Sequence, residues 1–364
     1  MVNKMIRKSR VYFSLFLLLY PFHLIFADYV LMGTYFDNPN AVVFKMSDSG
    51  EISFDYEMEV GGNPISIRFA PNGKWGLVGS HTTSYPHTQK TIVLGVDQNR
   101  KISVLGTAHN EYEDLLAISP DSRYGVYGAD LKTLRFNNRD MTFTIIPTDN
   151  PILCLQADFS RYSNKILGQS QFVIEEYVLM DDGRSTDTGF TLDISPSDGY
   201  QDIKVSPDGK TCIALSIDTY EVTVLRILAG GGGSLVQQFN TDSRNPKETV
   251  FTPDSRYALI AFHAPGDINI ISYSIGGDSK LTEIDSIILP DPPSDPMALT
   301  PDGKYIVTRS LVLSRSRMYV TEVKEDGTLE YLPENYFFYP VSLSYLAFAP
   351  PQVTQADGSW TWYE

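Results

Sequence analysis

The sequence predicts an all-β fold, a seven-bladed β-propeller built from four-stranded antiparallel blades, and three observations carry that prediction. A turn motif recurs along the chain, short apolar strands flank every copy, and no long segment of helical period follows residue 27. The motif reads apolar residue, small residue, Pro, Asp or Asn, Gly or Ser, Lys or Arg. It occurs as FAPNGKW at 69, ISPDSRY at 118, VSPDGKT at 205, FTPDSRY at 251 and LTPDGKY at 299. With FAPPQVT at 348, the prolines fall at 71, 120, 207, 253, 301 and 350, at gaps of 49, 87, 46, 48 and 49. The double gap predicts a degenerate copy, found at 159 as FSRYSNK with Arg161 in the proline position.

Each unit justifies four strands. An apolar strand such as PISIRFA precedes the turn, and another such as WGLVGS, YALIAF or YIVTRS follows it. Pro fixes φ, Asp caps the reversal, and Gly or Ser accepts the strained position. Third and fourth strands read TIVLGVD with KISVLGT, VTVLRIL with SLVQQF, and INIISYS with LTEIDSI. GGGG at 230–233 lies between such a pair and therefore reads as an intrablade turn. Residues 28–59 supply a second, third and fourth strand without a first, and VSLSYLAFA at 341–349 supplies a first strand alone. Together they predict a seventh blade that closes the ring and removes its free edges.

The N-terminus reads as a separate segment. Lys4, Arg7, Lys8 and Arg10 precede the apolar run Val11–Ala27, which Pro21 and His23 interrupt; this is the order of a secretory signal over 1–27. Residues 28–364 then form a single domain, secreted or periplasmic, with no stable membrane span after cleavage. Cleavage deepens the formal charge from −15 to −19, which opposes nucleic-acid binding. Two cysteines, Cys154 and Cys212, sit in neighbouring units, and the sequence assigns them no pairing.

The PDG and PDS units with apolar strands at this spacing resemble the YVTN-type β-propeller repeats and the seven-bladed lactonase-like family. The resemblance spans residues 28–350 and implies a scaffold shared by lactone hydrolases, lactonizing enzymes, surface-layer proteins and proteins without a known activity. Architecture alone therefore selects no chemistry.

Propeller topology brings to one face the residues before each first strand and those between second and third strands. The first set holds Asn63, Glu111, Glu113, Gln156, Asp202, Lys247, Glu248 and Asp295, and the second His81, Asp130, Asp218, Tyr220, His263 and Arg309. Among these, Glu248, His263 and His81 are the candidate acid/base groups, and Arg309 or Lys247 the candidate oxyanion cation. Asn63, Glu113, Asp202, Lys247 and Asp295 are candidate ligand-binding residues. No CxxC or paired Cys/His cluster supports a metal. Asp181, Asp182, Asp187, Asp193 and Asp198, within the apparent insert 180–199, are oxygen donors of the kind calcium takes, at a spacing unlike an EF-hand. The leading functional expectation is a binding scaffold for a protein partner or small ligand, without a resident cofactor; the alternative is a hydrolase acting on a small sugar lactone through a polar central pocket.

Overall fold

A computed structural model describes residues 29–35, 38–81, 89–110, 116–128, 131–147, 156–159, 165–170, 173–193, 202–216, 218–242, 244–267, 269–293, 297–312 and 315–351. Residues 1–27, read above as a leader, lie outside them. The chain begins with β1 (Tyr29–Tyr35), β2 (Asn40–Met46) and β3 (Ile52–Glu59). Blade 1 follows as β4 (Asn63–Phe69), β5 (Trp75–His81), β6 (Gln89–Val96) and β7 (Ile102–Asn110). Blade 2 is β8 (Leu116–Ile118), β9 (Tyr124–Tyr127), β10 (Lys132–Asn137) and β11 (Thr142–Ile146). Blade 3 is β12 (Gln156–Phe159), β13 (Lys165–Ser170), β14 (Val173–Leu179) and β15 (Ser185–Asp193). Blade 4 is β16 (Asp202–Val205), β17 (Thr211–Ser216), β18 (Glu221–Ile227) and β19 (Gly233–Asn240). Blade 5 is β20 (Asn245–Phe251), β21 (Tyr257–His263), β22 (Ile270–Ile275) and β23 (Leu281–Ile287). Blade 6 is β24 (Met297–Leu299), β25 (Tyr305–Val312), β26 (Arg315–Val323) and β27 (Leu329–Tyr339), and the last strand is β28 (Leu343–Ala349).

These strands make seven four-stranded antiparallel sheets, and the seventh has the order β28-β1-β2-β3. The predicted closure is therefore present, in the register Val30↔Ala349, Leu31↔Phe348 and Met32↔Ala347. The innermost strands touch in sequence around the ring, β4 with β8, β8 with β12, and so on through β28 back to β4.

The apolar interior is divided among the seams. Leu31 packs toward blade 6 with Tyr305 and Val320, whereas its neighbours Val30 and Met32 pack toward blade 1 with Val78 and Ile92. Both faces of an inner strand are buried, so these strands read as continuous apolar runs. Trp75 is fully buried at the seam of blades 1 and 2, stacked on Phe136 at 4.7 Å, with Nε1 donating to the Ser122 carbonyl at 3.0 Å. Trp75→Ala is expected to lower stability by about 3–5 kcal/mol through the cavity it leaves; a urea-unfolding midpoint equal to that of the parent would contradict this.

The repeated motif is explained bond by bond. In blade 4 the Gly209 N–H donates to the Ser206 carbonyl at 2.7 Å, Ser206 Oγ donates to Asp208 Oδ1, and the same oxygen accepts the Lys210 N–H. Gly209 has φ 70°, a conformation that suits glycine. Where serine replaces it, as Ser122 and Ser255 at φ 57° and 60°, the hydroxyl accepts a backbone N–H from the preceding motif, Asn72 or Asp208. Where a tyrosine ends the motif it bolts its blade to the next: Tyr124, Tyr257 and Tyr305 donate to the carbonyls of Asp181, Glu325 and Asp48.

One reading of the sequence changes here. Residues 180–184 form the β14–β15 turn and 185–193 the outermost strand of blade 3, so most of the apparent insert is regular blade. Its polarity reflects an outer strand facing water. Asp182 ion-pairs with Arg184, and Asp187 accepts the Gly189 N–H, while Asp198 lies outside the described residues. Among the described residues, no three acidic, His or Cys side chains form a metal-sized group, and no helix is long and apolar enough to cross a membrane. Cys212 is a free, fully buried thiol whose pKa burial pushes far up; Cys154 lies outside the described residues.

Candidate functional site

The innermost strands place a charged cluster about the ring axis. In β4 and β16, Ile67 and Ile203 enter the seam cores, and the two-residue period turns Arg68 and Lys204 the other way. Asp158 of β12, Asp202 of β16 and Glu248 of β20 complete the cluster. Arg68 acts electrostatically on both Asp158 and Glu248, linking blades 1, 3 and 5. Such reach across the ring requires a location about its axis.

Each carboxylate also latches its blade to the next. Asp158 Oδ2 accepts the Val205 N–H at 2.9 Å, Asp202 Oδ2 the Thr249 N–H at 2.9 Å, and Glu248 Oε2 the Met297 N–H at 2.6 Å. Lys204 ion-pairs with Asp202, and Arg68 Nη1 stands 4.0 Å from Glu248 Oε1. Arg68 keeps 38% of its side chain exposed, so water reaches the cluster.

A bulge sets the Glu248 position. In β20, Pro246 pairs with Phe262 and Glu248 with Ala261, leaving Lys247 as the extra residue. A bulge of this kind re-aims the side chains that follow it. Burial pushes the Glu248 carboxyl up to about 7; the Lys204 and Arg68 cations oppose that rise, Asp202 adds to it, and the Met297 N–H opposes it. Burial likewise raises Asp158, against Lys204, the Val205 and Phe159 N–H groups, and Arg68. Three carboxyl groups thus face two cations, and one carboxyl is poised to exchange a proton near neutrality.

The other candidates have separate settings. Asn63 and His81 pair across β4 and β5, with Asn63 Nδ2 3.2 Å from His81 Nε2. Asn245 and His263 make the equivalent pair in blade 5, and His263 Nδ1 lies 2.8 Å from the Pro293 carbonyl. Both histidines sit at the ends of second strands, as topology requires. These contacts lie at the blade rim rather than within the Glu248 cluster. Arg309 is buried in β25, where its guanidinium donates to the Leu343 carbonyl at the closing strand. Gln156 opens β12, while Asp218 and Tyr220 lie in the β17–β18 turn, Tyr220 at φ 54°. Glu111, Glu113, Asp130 and Asp295 lie outside the described residues.

The sequence reading found Glu248 and Asp202 but passed over Arg68, Asp158 and Lys204. Their signal is a charge next to the last residue of an innermost strand, in SIRF, QADF and DIKV, where blades 2, 5 and 6 carry Ala117, Val250 and Ala298.

Comparison with solved structures matches this architecture. A protein from Bacteroides uniformis, provisionally named a 6-phosphogluconolactonase, superposes with TM-score 0.72 at 15% identity, over 88% of this chain and 99% of that one. The fold is that of the lactonase-like propellers. The periplasmic gluconolactonase of Pseudomonas aeruginosa gives 0.70 at 12% identity, over 88% of this chain and 98% of its own. A hypothetical selenium-binding protein from Sulfolobus tokodaii gives 0.66 at 8% identity, over 88% of this chain and 94% of that one; likeness of fold selects no chemistry. No family model and no curated protein matches the sequence.

Proposed function

We propose that the protein hydrolyses a small sugar lactone at the ring axis, with Glu248 as the proton-transfer group. The observation carrying this reading is a buried carboxyl with a pKa of about 7, beside Arg68 and in the field of Lys204. In its ionised form Glu248 takes a proton from water as the water oxygen bonds to the lactone carbonyl carbon. Arg68 and Lys204 stabilise the tetrahedral oxyanion. The ring C–O bond then breaks, and Glu248 returns the proton to the leaving oxygen, giving the open hydroxy acid. The gluconolactonase names of the structural neighbours support the substrate class.

The same reading makes residues 1–27 a leader and 28–364 one exported propeller domain, in keeping with the periplasmic location named for the Pseudomonas protein. A screen of gluconolactone and related sugar lactones by pH-stat tests the activity. The expected kcat/KM falls as pH drops through about 7, because the base must be ionised. No rate above spontaneous hydrolysis would leave the second reading, a binding scaffold. That reading is favoured by the shared latch role of Asp158, Asp202 and Glu248, which needs no catalysis.

A further inference from the structure

A pocket of about 270 Å³ opens away from the axis, on the seam between blades 4 and 5. Phe239 of β19, Asp242 and Arg244 of the crossover, Tyr273 of β22 and Glu283 of β23 define its chemistry. None of its lining residues belongs to an innermost strand, so it is distinct from the axial cluster.

Two hydrogen-bond donors belong to residues of its wall. Tyr273 is only 6% exposed, and no described residue hydrogen-bonds its hydroxyl. Arg244 Nε is buried without a hydrogen-bond acceptor among the described residues; Asp267 Oδ2 stands 3.6 Å away, beyond good hydrogen-bond reach. The Tyr273 hydroxyl keeps access to the open pocket, so a ligand oxygen can take the place of water there, while Arg244, ion-paired with Asp267, brings positive charge to the wall.

Acceptors stand beside these donors. Glu283 pairs across the sheet with Tyr273, and Asp242 lies in the crossover at the pocket edge. Phe239, whose ring centre is 6.0 Å from that of Tyr273, supplies a partly exposed apolar wall. A free carboxylate entering here meets Glu283 and Asp242, and a simple cation meets Arg244. A neutral hydroxylated ring matches both sets, because each hydroxyl donates and accepts while the ring C–H face lies on the aromatic wall. We propose that this seam pocket binds a monosaccharide unit through Tyr273, Arg244, Asp242 and Glu283, against Phe239.

Saturation-transfer NMR titrations of the whole protein with methyl α-D-glucoside and methyl α-D-galactoside test this, with acetate and alanine as charged comparators. The expected result is saturable millimolar binding of at least one glycoside. Tyr273→Phe, which keeps the ring, should weaken it about 5–10-fold, Glu283→Gln should also weaken it, and Glu248→Gln should leave it unchanged. No saturation by either glycoside, tighter binding of acetate or alanine, or affinity unmoved by both seam variants would overturn the proposal. So would loss of binding in Glu248→Gln, which would assign the sugar to the axis.

Discussion

Glu248→Gln is expected to lower lactone hydrolysis by about 10²–10⁴-fold and, at pH 8, to make the protein more stable. The amide retains an oxygen for the Met297 N–H and so preserves the latch to blade 6, but it cannot take a proton from water. The stability effect follows from the raised pKa. Below about 4.5 the carboxyl is protonated in both folded and unfolded chains. As pH rises toward 7, the unfolded chain releases a proton that the folded protein retains, so stability falls. The contribution is lost once pH passes the folded value, a difference of about 3 kcal/mol. Glutamine removes this slope. Urea titrations at pH 5 and pH 8, run beside the pH-stat assay, check both effects. Unchanged turnover would exclude Glu248 from the chemistry, and an identical pH slope in parent and variant would exclude its raised pKa.

The second large effect concerns ring closure. A chain ending at Tyr339 is expected to lose its cooperative unfolding transition. It lacks β28 and with it Leu343, Leu346 and Phe348, exposed by 0%, 3% and 7%. Loss of each such side chain costs about 2–5 kcal/mol, so together they rival the whole stability of an ordinary domain, about 5–15 kcal/mol. The β1 edge is uncovered as well, which invites pairing between copies. Calorimetry against Leu346→Ala, expected to fold with a reduced midpoint, separates a graded packing loss from an opened ring. A truncated chain with the parent's transition would show that β28 does not hold the ring closed.

The turns and the closure were legible because their chemistry is local. Ser206, Asp208, Gly209 and Lys210 bond among themselves, and the same letters repeat wherever the same bonds do. The terminal half-sheets were legible because a missing first strand at one end matched a surplus one at the other. The axis was harder to read. Arg68, Asp158 and Lys204 occupy equivalent strand positions in three blades, but nothing in one sequence says that blades 1 and 3 meet across the centre. Blade 3 obscured itself, since its outermost strand STDTGFTLD faces solvent and lacks an apolar stripe. The tyrosine bolts were invisible for a related reason: their carbonyl partners lie 57 to 257 residues away and carry no side-chain signature.

The antiparallel register of β1 and β28 sets Val30 beside Ala349. The polypeptide therefore enters and leaves the disc at one spot, on the side of the Pro-Asp turns, where a side chain on Gly73 would strike the Pro350 carbonyl. A reporter or fusion partner joined directly to Tyr29 or Pro351 therefore begins on that underside. The Asn63–His81 and Asn245–His263 pairs lie on the opposite rim, so a tether joined at Tyr29 or Pro351 starts on the far side of the disc from them.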